Sequence, residues 1–435
     1  MTEATEARVS LLHAVDTEGP LFESAAETVA RINRIAGLSL PVTARTLNDL
    51  VEGKVALGDA EAVVTNVLRY SRFLGDWTAV GAMLDRIMAP TFRQTNCDSG
   101  GRPWVYNWHV MDHVGYEVNP RRRDIGYHNI FDVYRELTAN AEDELGFHFH
   151  PDHYFPHAHM CGTNFNTSRH LHSILNRRLV DRNWFPKSFR AGFHTERPDS
   201  HLFLEQWIPH DFSNQSIAGD TSTAGQLDLD DHRFGDWTRA PAIWGWYHPH
   251  HDDYQMPGDC RRRIFRCLNI GTRHRCVTVE EIRNAFELAS AKKANVLVGI
   301  TNHDFRDMAP DVEWLKQTFD GIAAKTGVPW RSATISDSYE NWQGNPIRST
   351  WELAQVAHLH RLRISYDGDT FGPQPYMAIK LVNEGYFHVN LDIVKPFREF
   401  SYVFDDNTVD IARVESIVIG TNDRRGNVVI DRLKG

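Results

Sequence analysis

The chain is 435 residues long, with 47 Lys+Arg against 57 Asp+Glu, a formal net charge of -10, 41% hydrophobic residues, five Cys and 23 His. That length allows one large core plus a satellite. The longest smooth apolar run, Val296 to Ile300, is far short of the roughly 20 residues that cross a bilayer, and a net acidic chain lacks the basic face that binds a phosphate backbone. Neither a membrane nor a nucleic acid is expected as a partner. The acidic start has no basic-then-apolar leader. Cys97, Cys161, Cys260, Cys267 and Cys276 form no C-x-x-C pair, which fits a reducing compartment, so a cytoplasmic location is expected. The basic runs Arg121 to Arg123 and Arg261 to Arg263 read as solvated or locally ion-paired arginines.

The first predicted element is a strand over RVSLLHAVD, where Val9, Leu11, His13 and Val15 share one face and Asp16 leads into the turn TEGP. ESAAETVARINRIAG repeats Ala25, Val29, Ile32 and Ala36 at helical spacing, with Gly37 as a stop. Helical patterns continue over Asp59 to Leu74 and Thr78 to Met88, and a second strand is predicted over Trp104 to Asp112. The roughly 85 residues between the two strands exceed a simple crossover, so a helical insertion over about residues 20–103 is expected.

Beyond it the pattern alternates: helix Ile130 to Ala139, strand ELGFHFH, helix Ser168 to Leu179, strand KSFRAG, helix Val279 to Ala291 and strand NVLVGITN. A helix ended by Gly327 and a short strand WRSATIS follow. Alternating strand and helix units imply a parallel sheet or barrel with its chemistry at the strands' carboxyl ends. From about Asn345, short β-rich runs punctuated by Gly, Asn, Asp and Pro suggest a small antiparallel sandwich. The expected fold class is α/β: a (β/α) barrel over residues 1–345 and a β-sandwich accessory domain over 346–435, with the boundary in GNPIRST.

Nineteen of the 23 histidines lie between His109 and His303. Histidine is the commonest metal ligand and the usual proton shuttle at neutral pH. Asp16 and Glu18 at a strand end form a natural base-plus-ligand pair, the bland alternative being an acidic turn that caps the next helix. In ELGFHFHPDH, His148 and His150 share a strand face by period two, while Asp152 and His153 fall in the following turn and can swing in. His157 and His159 read as bystanders. In FRAGFHT, Arg190 can grip a carboxylate bidentately and hold a catalytic Asp ionised, or form a structural salt bridge, and His194 is a candidate substrate contact. His303 in VLVGITNHDFRD is a candidate general acid, with Asp304 or Asp307 to orient its ring, the bland alternative being a cap on the next helix. In WGWYHPHHDDYQ, Trp246 and His248 suit a sugar-like substrate, the bland alternative being a polar, Trp-rich loop that serves packing. Asp369, Asn422 and Asp423 read as turn formers, with calcium or sugar binding as the alternative.

In this order the acidic first-strand end, ELGFH, FRAG and LVGITNH resemble the motifs of the polysaccharide deacetylase family, the NodB-homology carbohydrate esterases, over roughly residues 9–342. The resemblance implies an irregular (β/α) barrel, one divalent metal ion, usually zinc, and hydrolysis of N-acyl or O-acyl groups on sugars or related amides. The family's first motif reads T-F-D-D-G where this chain reads A-V-D-T-E-G. Aligned on the first aspartate, Asp16 is the base and Thr17 stands at the ligand position, leaving Glu18 to reach the ion. Aligned on Gly19, Glu18 is the ligand and Asp16 is displaced. The family's second metal histidine falls at Asp152, so His150, His153 or that carboxylate takes the position. The expected protein is a metal-dependent N-deacetylase of a soluble N-acylated amino sugar or sugar-containing metabolite. Glu18, His148 and His150 hold the ion, Asp16 is the base, Arg190 its anchor, His303 the acid, and His194, Trp246 and His248 meet the substrate. The alternatives are a cyclic-amide hydrolase on the same scaffold and a degenerate carbohydrate-binding protein. A homo-oligomer contact through the C-terminal domain is left open.

Overall fold

The computed structural model describes residues 7–153, 155, 157–158, 165, 167–219, 235–338 and 345–434. His159 and Cys161 lie outside them, as does residue 342. Strand β1 (Arg8–Thr17) is buried from Val9 onward, on both faces and not on one. A strand with parallel neighbours and helices outside it has two covered faces. Val9, Leu11 and Val15 join the cluster beneath the helices, whereas Leu12 and Ala14 join Phe212, Phe265, Leu297 and Ile335 inside the barrel.

After β1 come helices α1 (Ala25–Ala36), α2 (Ala44–Val51), α3 (Glu61–Arg69), α4 (Trp77–Met88) and α5 (Pro90–Thr95). A Ser24–Glu27 capping box starts α1 and left-handed Gly37 ends it. Helices α1 to α3 enclose a core of their own around Ile32, Ile35, Leu50, Val64 and Val67. Helix α4 instead sends Val80, Met83, Leu84 and Ile87 into the barrel's outer cluster. It therefore acts as the crossover helix between the first two strands, and the added part is α1 to α3. The chain between α3 and α4 is stitched across the barrel mouth, with Leu21 N donating to Leu74 O (2.9 Å) and Leu74 N to Phe305 O (2.8 Å).

The barrel continues through β2 (Asn107–Val110), α6 (Asn129–Leu137), β3 (Glu144–Phe149), α7 (Arg169–Arg182), β4 (Ser188–Ala191), α8 (Pro198–Trp207) and β5 (His210–Asn214). The short β6 (Trp246–Tyr247) and the hairpin β7 (Pro249–His250) and β8 (Asp253–Pro257) precede β9 (Arg263–Asn269), α9 (Val279–Lys292), β10 (Asn295–His303), α10 (Ala309–Thr326) and β11 (Trp330–Ser332). Among the described residues, seven parallel strands close in the order β1-β2-β3-β4-β5-β9-β10, with β10 pairing back to β1. Closure brings Gly299 opposite Cys267, where a Cβ would stand 2.6 Å from the Arg266 carbonyl. Only glycine lets β9 and β10 meet there. Neither β5 nor β9 is expected from the sequence, because Asp211 on β5 and Arg266 on β9 interrupt the apolar pattern and are matched by ion pairs. Asp211 pairs with Arg262 (2.6 Å) and Arg266 with Glu281 of α9 (2.7 Å).

The C-terminal region forms two antiparallel sheets. One orders β12 (Ser349–Val356), β13 (Leu359–Tyr366), β17 (Glu399–Phe404) and β16 (Asp392–Lys395); the other orders β15 (Tyr386–Val389), β14 (Tyr376–Leu381), β18 (Val414–Asn422) and β19 (Val428–Lys434). Leu362, Ile364, Met377, Ile379, Phe400 and Ile417 fill the space between them. From the opposite face of the second sheet, Tyr376, Ala378 and Val418 pack into a barrel-side cluster with Leu179, Phe185 and Trp207. Asp369 pairs with Arg398, and Asp423 accepts from Arg425 N and Asn427 N, which is turn chemistry. Cys97, Cys260, Cys267 and Cys276 are free, and no described helix is long and apolar enough to cross a membrane.

Buried Asn422 of β18 ties the C-terminal sheet to the barrel side by donating through Nδ2 to the carbonyls of Pro186 and Trp207, both at 2.9 Å. Asn422→Ala strands two buried acceptors and should lower unfolding free energy by about 2–4 kcal/mol. Denaturant titration reads this directly; a change below about 0.5 kcal/mol would mean that the two carbonyls find other partners.

Candidate active site

Side chains alternate across a strand, and parity decides which reach the barrel interior. On β1, Leu12 and Ala14 point inward, so Asp16 does too. On β3 and β4, Phe147, Phe149, Phe189 and Ala191 pack outward, which turns His148 and Arg190 inward. Strand register then sets Asp16 level with His303 on β10 and His109 on β2, and His148 level with Arg190. All five lie toward the carboxyl ends of parallel strands. His13 is on the other face, held by Trp104 Nε1 (3.0 Å) and Asn302 (3.1 Å).

Glu18 stands just past β1 with its two carboxylate oxygens turned to different partners. Oε2 pairs with buried Arg123 at 2.6 Å. Oε1 lies 3.6 Å from His148 Nε2 and 3.5 Å from His150 Nε2, and those nitrogens are 3.1 Å apart. Donors about 2.0–2.1 Å from a tetrahedral centre stand about 3.3 Å from one another. The triangle therefore has the size of one face of a metal shell. His148 Nδ1 lies 2.9 Å from the Arg190 carbonyl, so its N–H donates there and Nε2 keeps its lone pair for an ion.

The room for His150 comes from Gly192, where a Cβ would meet the imidazole ring at 2.3 Å. Phe193 follows in the left-handed region, with φ 51°, and sets its ring 5.0 Å from that of His150. Such a conformation in a non-glycine residue costs on the order of 1–3 kcal/mol. Of the three candidates for the further ligand, only His150 stands in the triangle. Asp152 donates its backbone N–H to Ser168 Oγ (2.9 Å), and His153 Nδ1 is engaged with the backbone at Phe155 (3.0 Å).

Arg190 does not grip Asp16 with its two-pronged end. Its Nε lies 2.6 and 2.8 Å from the two carboxylate oxygens, while Nη1 donates to Phe212 O (2.7 Å) and Nη2 to the His194 ring (2.9 Å). Burial pushes the Asp16 carboxyl up, but Arg190, aided by His148 and His303, outweighs it and holds the group below the usual carboxylate range. For Glu18, burial is likewise outweighed by Arg123 and the two imidazoles, which hold it well below that range. His303 Nε2 lies 3.6 Å from Asp16 Oδ2, and its Nδ1 accepts from Arg306 Nη2 (3.3 Å). Burial pushes His303 down to about 3 against the pull of Asp16, so the imidazole is neutral at pH 7.

The expected orienters of His303 do other work. Asp304 accepts from Glu18 N and Gly19 N (both 2.9 Å) and from Tyr134 OH (2.7 Å), tying down the turn that carries Glu18. Asp307 caps α10 through Ala309 N (3.1 Å) and pairs with Arg86. Asp16, Glu18, His148, His150, His194 and His303 line one cavity of about 200 Å³, below the roughly 300–1,000 Å³ of drug-sized pockets. Trp246 and His248, the other expected substrate contacts, are not among the residues that line it. Trp246 is 42% exposed beside the Arg263 guanidinium (5.0 Å), and His248 Nδ1 donates to Arg262 O (2.9 Å).

Arg123, Arg306 and the insertion residues Tyr70 and Phe73 also line the cavity and are not identified as site residues from the sequence. Arg123 is ion-paired, as its run suggested, but to Glu18 itself. Compared with protein-family models and with curated proteins, the chain matches none.

Gly192→Ala tests the triangle. The added methyl displaces His150, and zinc affinity by chelator competition should fall about 10- to 100-fold with circular dichroism unchanged. Undiminished affinity would remove His150 from the ligand set.

Proposed function

We propose that this protein is a metal-dependent amide hydrolase, an N-deacetylase of a small N-acylated amino sugar or sugar-containing metabolite, and a divergent relative of the polysaccharide deacetylases. The observation that carries the reading is the Glu18–His148–His150 triangle beside a buried, arginine-held carboxylate, Asp16. Two imidazoles and one carboxylate form a donor set that suits zinc. When bound, the ion supplies Lewis acidity to an acyl carbonyl and acidifies water.

Asp16, kept ionised by Arg190, accepts a proton from the attacking water. The water oxygen bonds to the acyl carbon and the carbon–nitrogen bond breaks. The proton passes through His303, 3.6 Å from Asp16, to the leaving nitrogen. A neutral His303 must receive that proton before giving it, and the adjacent Asp16 carboxylate is the group that can deliver it. The products are one free acid and one amine. The small cavity favours a single ring over a polymer.

Two measurements test the reading. Elemental analysis should find about one zinc per chain, and activity on N-acetylated amino sugars, followed by acetate release in NMR, should vanish on chelation and return with zinc. Activity that survives complete metal removal would sink it, and ring opening without acid release would reassign the reaction to a cyclic amide. Separately, Asp16→Asn and His303→Ala should each lower kcat by about 10²- to 10⁴-fold at unchanged zinc content. A normal rate in either variant would remove that residue from the proton path.

A further inference from the structure

We infer that the cavity recognises an anionic group on its substrate, a phosphate ester or a carboxylate, through Arg306 and the wall supplied by the helical insertion. This deepens the hydrolase reading, and rests on it only for where the scissile bond lies. Among the described lining residues are Arg31, Arg121, Arg123, Arg273 and Arg306, and the carboxylates facing them are Asp16 and Glu18.

Some of this charge is compensated within the chain. Arg123 is spent on Glu18 (2.6 Å), while Arg31 and Arg121 share Glu23 behind the cavity wall (2.7 Å each). Arg306 forms no direct ion pair with a carboxylate among the described residues, although Asp311 and Glu18 act on it from farther off. Its contacts include His303 Nδ1 at 3.3 Å and the Phe305 ring at 5.5 Å. A guanidinium is always charged and carries a planar fork of donors suited to phosphate and carboxylate. The carboxylates of Asp311 and Glu18 offset part of its charge without pairing with it, so an anion in the cavity can take the fork's donors directly.

The surroundings hold the fork in place. Phe305 sits between Arg306 and Arg123, whose Cζ lies 5.1 Å from the ring centroid, so cation–π attraction keeps two like charges beside one ring. Phe73 of the insertion packs edge-on against Phe305 at 5.7 Å, and the adjacent Leu74 N–H bonds to the Phe305 carbonyl. The insertion is thereby a fixed wall of the subsite. A cation in the Glu18–His148–His150 triangle would add to the positive field, which a narrow cavity with aromatic walls concentrates.

The test is calorimetric titration of the full chain, zinc-loaded and chelator-stripped, with inorganic phosphate and with acetate. Binding to the stripped protein isolates Arg306 from any anion capture by the ion. At least one anion should bind the stripped wild type, with Kd raised about 10- to 100-fold in Arg306→Gln and less in Arg306→Lys. Tighter phosphate binding identifies a phosphorylated substrate, and tighter acetate binding a carboxylated one. Should Arg306→Gln fail to fold, Arg306→Lys, which keeps the charge and loses the planar fork, provides the comparison. Equal Kd values in wild type and variant, or no binding by the stripped protein, would overturn the inference. Failure to take up zinc would count against the hydrolase reading alone and leave the stripped-protein titration intact.

Discussion

The buried pair of Asp16 and Arg190 is the contact on which the site depends. Their strands, β1 and β4, are not neighbours in the sheet order, so the pair bridges the barrel interior. Two charges taken out of water are stable only with good geometry and further hydrogen bonds. Arg190 obtains these by donating also to Phe212 on β5 and to His194 in the loop that follows β4. Removing it leaves a buried carboxylate without its counterion, a loss of about 3–5 kcal/mol by analogy with other broken buried pairs. The carbonyl of the same residue receives the His148 N–H. One arginine thus sets the ionisation of the candidate base and the tautomer of a candidate ligand.

Much of this was legible in the sequence, for a physical reason. Period-two alternation and the rule that parallel strands carry chemistry at their carboxyl ends are enough to bring Asp16, His148, Arg190 and His303 together. What was not legible follows from the same rules. Strands β5 and β9 escape notice because Asp211 and Arg266 place buried, ion-paired charges where hydrophobic periodicity expects apolar side chains. Arg123 and Arg306 reach the cavity from loops, and loop residues have no periodicity to read. Trp246 and His248 are read from composition, since an aromatic, histidine-rich stretch looks like a sugar platform; they do not line the cavity, and the imidazole serves a backbone carbonyl and the indole an arginine instead.

The two added parts of the chain act on the site from opposite sides. The insertion works from within the cavity, through Tyr70, Phe73 and the backbone link from Leu74 to Phe305. The C-terminal sheet works from outside. Its Tyr376, Ala378 and Val418 share a cluster with Phe147, Phe149, Phe189 and Ala191, the outward neighbours of His148 and Arg190. Tyr376 also bonds Asn176 on α7 at 2.8 Å and packs edge-on against Trp207 at 5.1 Å. This explains why β14 reads as an almost unbroken apolar run. It has a sandwich on one face and a barrel on the other, so alternation in burial is lost.

Charge is distributed against the whole-molecule balance. The chain carries a net -10, the difference of 47 and 57, yet its cavity gathers arginines. The two statements are compatible because they act over different distances. Beyond about 8 Å at physiological ionic strength, surface charges are screened, so the acidic exterior has little influence on a ligand already inside the mouth. There the local guanidinium groups dominate, since low-dielectric walls screen them far less. The exterior instead opposes the approach of an anion, and this opposition grows as salt is lowered. For a protein that captures small anionic molecules, such an arrangement favours selection at contact over speed of encounter, and it discourages polyanions too large to enter the cavity.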